Sequence, residues 1–299
     1  VTRLNVLLAV LIWGASFAFT KRALAEVSPL ALVLARCGLG SLTMLALWRP
    51  RGAFRGLAPV EWLQLSAISL SGVVGQQTIQ AYALRHTSAN HAGWMLAATP
   101  IVVALAMAAF FGERMGPRRW GGFALAAAGT LLVALSRQLV AGAGLMSTGW
   151  GDFLFLLSCG NWALYVIMMD RWLKSRSQRD VTVMSMAAGF AIMAAAALVG
   201  GQWRQLLGAS APVWACLVYL GVLSSGLGYL FWNAGVEAIG PSATSAFLYL
   251  EPIAALAAGR LMLGEGIAAT AVSGGALILV GVYWVNAGRR LPEAPEEAA

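Results

Sequence analysis

Stretches of mainly apolar, almost uncharged residues follow one another from Leu4 to Ala287 with little between them. Each is about as long as the roughly 20 residues a helix needs to cross a bilayer. They fall at approximately 4–20, 28–48, 62–84, 88–111, 117–136, 152–172, 181–200, 212–235, 242–263 and 267–287. The connections are short: Arg85-His86-Thr87 alone separates the third run from the fourth. Of the 299 residues 60% are hydrophobic and 11% charged, against about half and about a quarter in a soluble domain. The pattern predicts an all-α integral membrane protein of about ten transmembrane helices, with no room for a separate soluble domain. The first run reads as a retained helix, not a cleaved signal, because nine more apolar runs follow it.

The net charge of +8 does not indicate a nucleic-acid partner. The basic residues punctuate the apolar runs, where they set orientation in the bilayer. With the N-terminus inside, thirteen Lys and Arg fall on inner segments, Arg49, Arg118 and Lys174 among them, and six on outer ones. That balance predicts cytoplasmic termini in a bacterial inner membrane. Cys37, Cys159 and Cys216 lie far apart inside apolar runs and read as packing residues.

A shift of 152 residues lays the second half on the first. Pro100 meets Pro252, Gly112-Glu113 meets Gly264-Glu265, and Gly122 and Gly129 meet Gly274 and Gly281. Near the start of each half the offset is 149, so Trp13 meets Trp162 and Arg22 meets Arg171. The expected units are a five-helix repeat over 1–137, a linker loop at 138–149, a second five-helix repeat over 150–287, and a polar, disordered cytoplasmic tail at 288–299. An odd number of spans per repeat sends the second into the membrane from the opposite side. The halves are therefore two inverted repeats around a central cavity, the arrangement of many secondary transporters, with substrate near the midplane.

The segment Ala83-Leu84-Arg85-His86-Thr87-Ser88-Ala89, with Thr99-Pro100 and Phe111-Gly112-Glu113-Arg114, resembles the fourth-span signature of the EamA-type permeases. Glu251-Pro252-Ile253 with Leu263-Gly264-Glu265 resembles their ninth span, and Trp13-Gly14-Ala15-Ser16-Phe17 with Lys21 their first. These permeases belong to the drug/metabolite transporter superfamily. The resemblance implies five-plus-five inverted helices, a central cavity, no ATP, and export of amino acids and other amphipathic metabolites. The aromatic interior residues resemble those of the YddG-like aromatic amino-acid exporters.

The sequence contains no GxxxxGK[ST], GxSxG, HExxH or CxxC. No enzymatic activity, cofactor or metal site is expected. His86 and His91 read as interfacial residues.

Polar side chains within spans turn from lipid toward the bundle interior or a wet cavity. Trp13, Ser16, Phe17 and Thr20 share one helical face of span one. Gln76, Gln77 and Gln80 make an unusually polar turn in span three. Trp94 lies in span four, Trp162 and Tyr165 in span six, Tyr229 in span eight, and Ser245 and Tyr249 in span nine. Trp13, Ser16, Gln76, Gln77, Gln80, Trp94, Trp162, Tyr165, Tyr229, Ser245 and Tyr249 are the candidate substrate-binding residues. The competing reading makes aromatics near span ends interface anchors, Trp284 among them, and makes Ser and Thr helix glue.

Arg36, inside span two, is a candidate for binding an anionic group or only a backbone carbonyl. Glu251, before Pro252, is a candidate proton-coupling acid or a structural partner of a broken helix. Glu113 and Glu265 read as helix caps. The glycines of spans five and ten read as close-packing surfaces outside the cavity, supporting the transport helices or a homodimer. The expected function is a secondary transporter that exports amino acids, aromatic and other apolar ones included, or similar metabolites by alternating access. The small-molecule substrate and the lipid bilayer are its expected partners. A channel-like or other non-transport membrane protein, or an exporter of drugs or purines, is the alternative.

Overall fold

The computed structural model describes residues 2–48, 54–96, 98–99, 101–102, 105–106, 116–141, 145–173 and 175–286, and among these no strand occurs. Pro100, Glu113, Lys174 and the 288–299 tail lie outside the described residues, as do the side chains of Ser245 and Tyr249.

In the first half α1 is Thr2–Ala23 and α2 is Pro29–Leu47. Span three is α3 (Pro59–Ile68), a π-helical segment Ser69–Gly75, and α4 (Gln76–His86). Then come α5 (Ala89–Leu96) and α6 (Pro117–Ala141). In the second half α7 is Leu145–Arg171 and α8 is Gln178–Gly200. Span eight opens with α9 (Ala211–Val218), passes through a π-helical segment Tyr219–Leu227 and enters α10 (Gly228–Ala246). A 3-10 turn, Phe247–Leu250, leads to α11 (Glu251–Leu263), and α12 is Ala269–Asn286.

Local chemistry sets several of these ends. Ser28 caps α2 by accepting the Ala31 N–H, with Pro29 in the first turn, where its missing N–H costs nothing. Ser177 caps α8 through the Asp180 N–H, and Gly201, at φ 71°, closes that helix in the left-handed conformation glycine tolerates best. Five helical stretches among the described residues are long and apolar enough to cross a membrane. Large apolar side chains stand exposed on outer helix faces: Leu198 is 73% exposed and Val199 93% on α8, and Leu261 85% on α11. A bilayer covers such a belt.

The two halves interleave. α1, the first helix of one half, packs against α9, the second π segment, α10 and α11 of the other. α7, its counterpart, packs against α3, α4, α5 and the first π segment. Small residues permit the approach: a Cβ on Gly14 would stand 2.4 Å from the Glu251 carbonyl oxygen. α6 and α12 pair along their length. There a Cβ on Gly129 would strike the Gly274 carbonyl at 2.5 Å, and one on Gly281 the Gly122 carbonyl at 2.5 Å. The same contact, made once in each direction between residues that correspond under the 152-residue shift, is what a two-fold axis relating the halves produces.

Two expectations change. The linker at 138–149 is largely helical, since α6 runs to Ala141 and α7 begins at Leu145. Its Ala, Leu and Met are strong helix formers. The break between spans eight and nine, read at 236–241, lies within the helical backbone of α10 despite Gly240 and Pro241. Lastly, Gly129, Gly274 and Gly281, read as surfaces supporting the transport helices or a homodimer, lie in α6–α12 contact within one chain.

Candidate functional site

The site begins with the π-helical segments, one in the third span of each half, at matching positions under the same shift. A π-helix inserts extra residues per turn and so frees or re-aims backbone groups. Each segment is engaged by the first helix of the opposite half. The Trp13 indole N–H donates to the Ser224 carbonyl at 2.9 Å. The Asn161 amide donates to the Ser71 carbonyl at 2.9 Å, and the Ser71 hydroxyl donates back to Asn161 Oδ1 at 3.0 Å.

Between these crossings lies a central cavity. From the first half it is lined by Trp13, Ser16 and Phe17 of α1, Arg36 of α2, Gln76, Gln77 and Gln80 of α4, Leu96 of α5 and Thr99. From the second it is lined by Trp162 of α7, Tyr229 of α10, Leu248 and Glu251. The aromatic side is organised around Trp13, whose ring meets Tyr229 edge-on at 5.2 Å and lies 5.3 Å from Trp232.

The polar wall divides into groups with partners and groups without. Ser16 donates to its own helix at the Trp13 carbonyl, 2.6 Å. Gln76 Oε1 accepts from Asn161 at 2.9 Å, tying α4 to α7. Thr99 donates to Cys159 Sγ at 3.3 Å. Arg36 donates from Nε to the Ser225 hydroxyl at 2.8 Å and from Nη2 to the Ser224 hydroxyl at 2.9 Å. Gln77 differs: its side chain is buried, and neither amide end has a hydrogen-bond partner among the described residues. Glu251 is buried at the N-terminus of α11, directly before Pro252.

Of the sequence-derived candidates, Trp13, Ser16, Gln76, Gln77, Gln80, Trp162, Tyr229, Arg36 and Glu251 come together here. Two do not line the cavity. Trp94 is buried in the core between α5 and its neighbours, with its ring filling the space above Gly275 of α12. Tyr165 packs behind Trp162 over Gly72 of the first π segment, where no side chain stands in its way. Ser224, Leu96 and Leu248 were not singled out by sequence. A leucine in an apolar run carries no signal, and Ser224 gains its role from a π segment that sequence does not announce.

One end of the molecule is tied across the halves. Glu265, between α11 and α12, accepts the N–H groups of Ala89 and Asn90 at 2.9 Å each. It is a cap, but for α5 of the opposite half. Lys21 donates to the Thr87 carbonyl. Thr87 donates to Asp152 at 3.3 Å, and the same carboxylate lies 3.1 Å from His91 Nε2. His91, read as an interfacial residue, thus has a carboxylate beside it. Glu26 accepts the Ser210 N–H at 2.9 Å and its hydroxyl at 2.8 Å, and Gln205 accepts the Ser28 N–H at 2.7 Å.

The family model of the EamA-like transporters matches the chain twice, over residues 3–135 and 149–287. The chain belongs to the EamA-like transporter family. Its two halves are the two copies of that family's repeat, and the protein is an all-α, multi-pass membrane transporter of two inverted repeats around the cavity.

Two relatives match over nearly their whole length. An uncharacterized transporter of Archaeoglobus fulgidus is 29% identical over 96% of this chain and 97% of its own. A probable terminal-alkyne amino-acid exporter of Streptantibioticus cattleyicolor is 29% identical over 94% and 92%. A solved crystal structure superposes with a TM-score of 0.64 over 98% of both chains at 19% identity, a likeness that shows the fold alone.

Proposed function

We propose that this transporter exports amino acids, aromatic and other apolar ones among them, or similar small amphipathic metabolites across the bacterial inner membrane by alternating access. The observation that carries the reading is Gln77. A buried amide with neither end paired is costly, and in a cavity wall a substrate polar group would satisfy it. Around it, Trp13, Trp162, Tyr229 and Phe17 offer an aromatic surface facing the polar wall of Arg36, the glutamines and Glu251, a pairing suited to a small amphipathic ligand. Such walls accept side chains of varied size, because one methylene changes binding by only about 1–3 kcal/mol. The relative that carries an amino-acid exporter's name supports the same substrate class.

In this reading the tied end, with Glu265 and Ser210, faces outside, and both termini face the cytoplasm. Release to the outside requires those ties to part. The test is counterflow in proteoliposomes of purified protein. Internal unlabelled substrate should accelerate uptake of labelled phenylalanine, tryptophan or leucine, and the flux should saturate. Linear, non-saturating flux would indicate a channel instead.

A further inference from the structure

Arg36 is 9% exposed in the cavity wall, and its guanidinium stays charged at any physiological pH. A buried cation is tolerated when an anion or a full set of acceptors compensates it. Among the described residues its hydrogen-bond partners are two neutral hydroxyls, and no carboxylate lies within ion-pair distance. Glu251, the other charged residue of the same wall, makes no ion pair with it.

The two hydroxyls occupy one edge of the planar group. Ser225 takes Nε–H, and Ser224 takes one Nη2–H. That leaves the Nη1/Nη2 edge with its parallel N–H pair. Two parallel donors on a rigid plane match the two oxygens of a carboxylate, a geometry a lysine does not reproduce. The serines come from the second π segment, Tyr219–Leu227, whose Ser224 carbonyl also holds the Trp13 indole. One segment therefore aims the cation and steadies the aromatic wall beside it.

We infer that Arg36 is a carboxylate subsite, oriented by Ser224 and Ser225, and that the substrate must present a carboxylate to it. This rests on the cavity being the substrate site. It sharpens the substrate class to apolar carboxylates, amino acids being one kind, and disfavours cationic amines and neutral bases.

The test is a ligand panel on the purified full-length protein, with binding read from intrinsic tryptophan fluorescence and from thermal protection in detergent. The panel takes phenylalanine, tryptophan and leucine, their des-amino acids, their decarboxylated amines and their methyl esters. The expected result is binding of the carboxylates at least about tenfold tighter than of the matching amines and esters, the loss of one strong charge-assisted contact. Arg36→Gln should remove that preference by weakening the carboxylates alone. Arg36→Lys should restore it incompletely, and Ser224→Ala with Ser225→Ala should reduce it. If des-amino acids bind and amino acids do not, the subsite stands and the amino-acid reading fails. Equal binding of amines and acids, no binding of any carboxylate, or a preference that survives Arg36→Gln would overturn the proposal. The wild-type panel decides even where a variant fails to fold.

Discussion

Gln76 and Gln77 are neighbours in sequence, both buried and both on the cavity wall, yet one is bonded to Asn161 and the other to nothing described. The polar turn around them was legible as a departure from an apolar run. Which glutamine is structural was not, because that depends on Asn161, 85 residues further along. Trp162 and Tyr165 divide in the same way: both share a helical face, and only the packing over Gly72 turns Tyr165 away. Two residues yield tests at this scale. The Glu26 carboxylate is held below the usual range chiefly by the Ser210 backbone N–H, then by the Ser210 hydroxyl, against an opposing desolvation, with Arg22 adding a smaller attraction. A lowered value means that the ionised form favours the tie. The tie is complete above the ordinary glutamate range and weakens as pH falls through the lowered value. Spin labels at Ala25→Cys and Gly208→Cys should separate on acidification in the wild type and show no such step in Glu26→Gln. For Glu251, we expect Glu251→Gln to change the pH dependence of transport while the protein still folds, because a carboxyl within the membrane is a natural proton carrier. Unchanged pH dependence in proteoliposome flux would leave it only a structural role at the start of α11.

Among the elements, the third span of each half departs furthest from regular helix. Spans one, two, six and seven were readable from apolar length, and a broken helix at Glu251-Pro252 from proline's missing donor, though not the 3-10 turn that precedes it. The π segments were not, since a widened helical turn leaves no compositional trace. Capping was half legible: Glu265 has the chemistry of a cap, but the helix it serves is set by the meeting of halves. Glu265→Gln should cost about 0.5–2 kcal/mol at that helix start, the range for a lost cap. Amide hydrogen exchange at Ala89 and Asn90 should rise selectively, and unchanged protection there would deny Glu265 that role. The glycine pair is a second test. Gly281→Leu forces a side chain against the Gly122 carbonyl, whereas Gly121→Leu meets nothing within 4 Å. Overpacking costs about 1–3 kcal/mol, so thermal stability in detergent should fall for the first and hold for the second.

For the whole molecule, the repeat was readable because Pro, Gly and Gly-Glu recur at one spacing, and the cavity between the halves followed from it. The way each half's first helix crosses into the other was not readable, since it rests on contacts such as Trp13 to Ser224 that join residues 211 positions apart. The proposed orientation rests on the Lys and Arg balance alone. With the buried native cysteines in place, an impermeant thiol reagent added outside cells should label Gly208→Cys and not Arg176→Cys. Labelling in the reverse pattern would invert the topology. The central claim is that substrate binds between the halves, against Gln77 and Trp162. Trp284 is 47% exposed on α12, away from that wall, and serves as the control. The most direct measurement is counterflow of labelled amino acid by Gln77→Ala, Trp162→Ala and Trp284→Ala, each reconstituted at matched thermal stability. The first two should lose roughly tenfold or more in flux, as for a contact of about 1.4 kcal/mol, while Trp284→Ala transports like the wild type. Normal flux in the first two with loss in Trp284→Ala would contradict a substrate site between the halves.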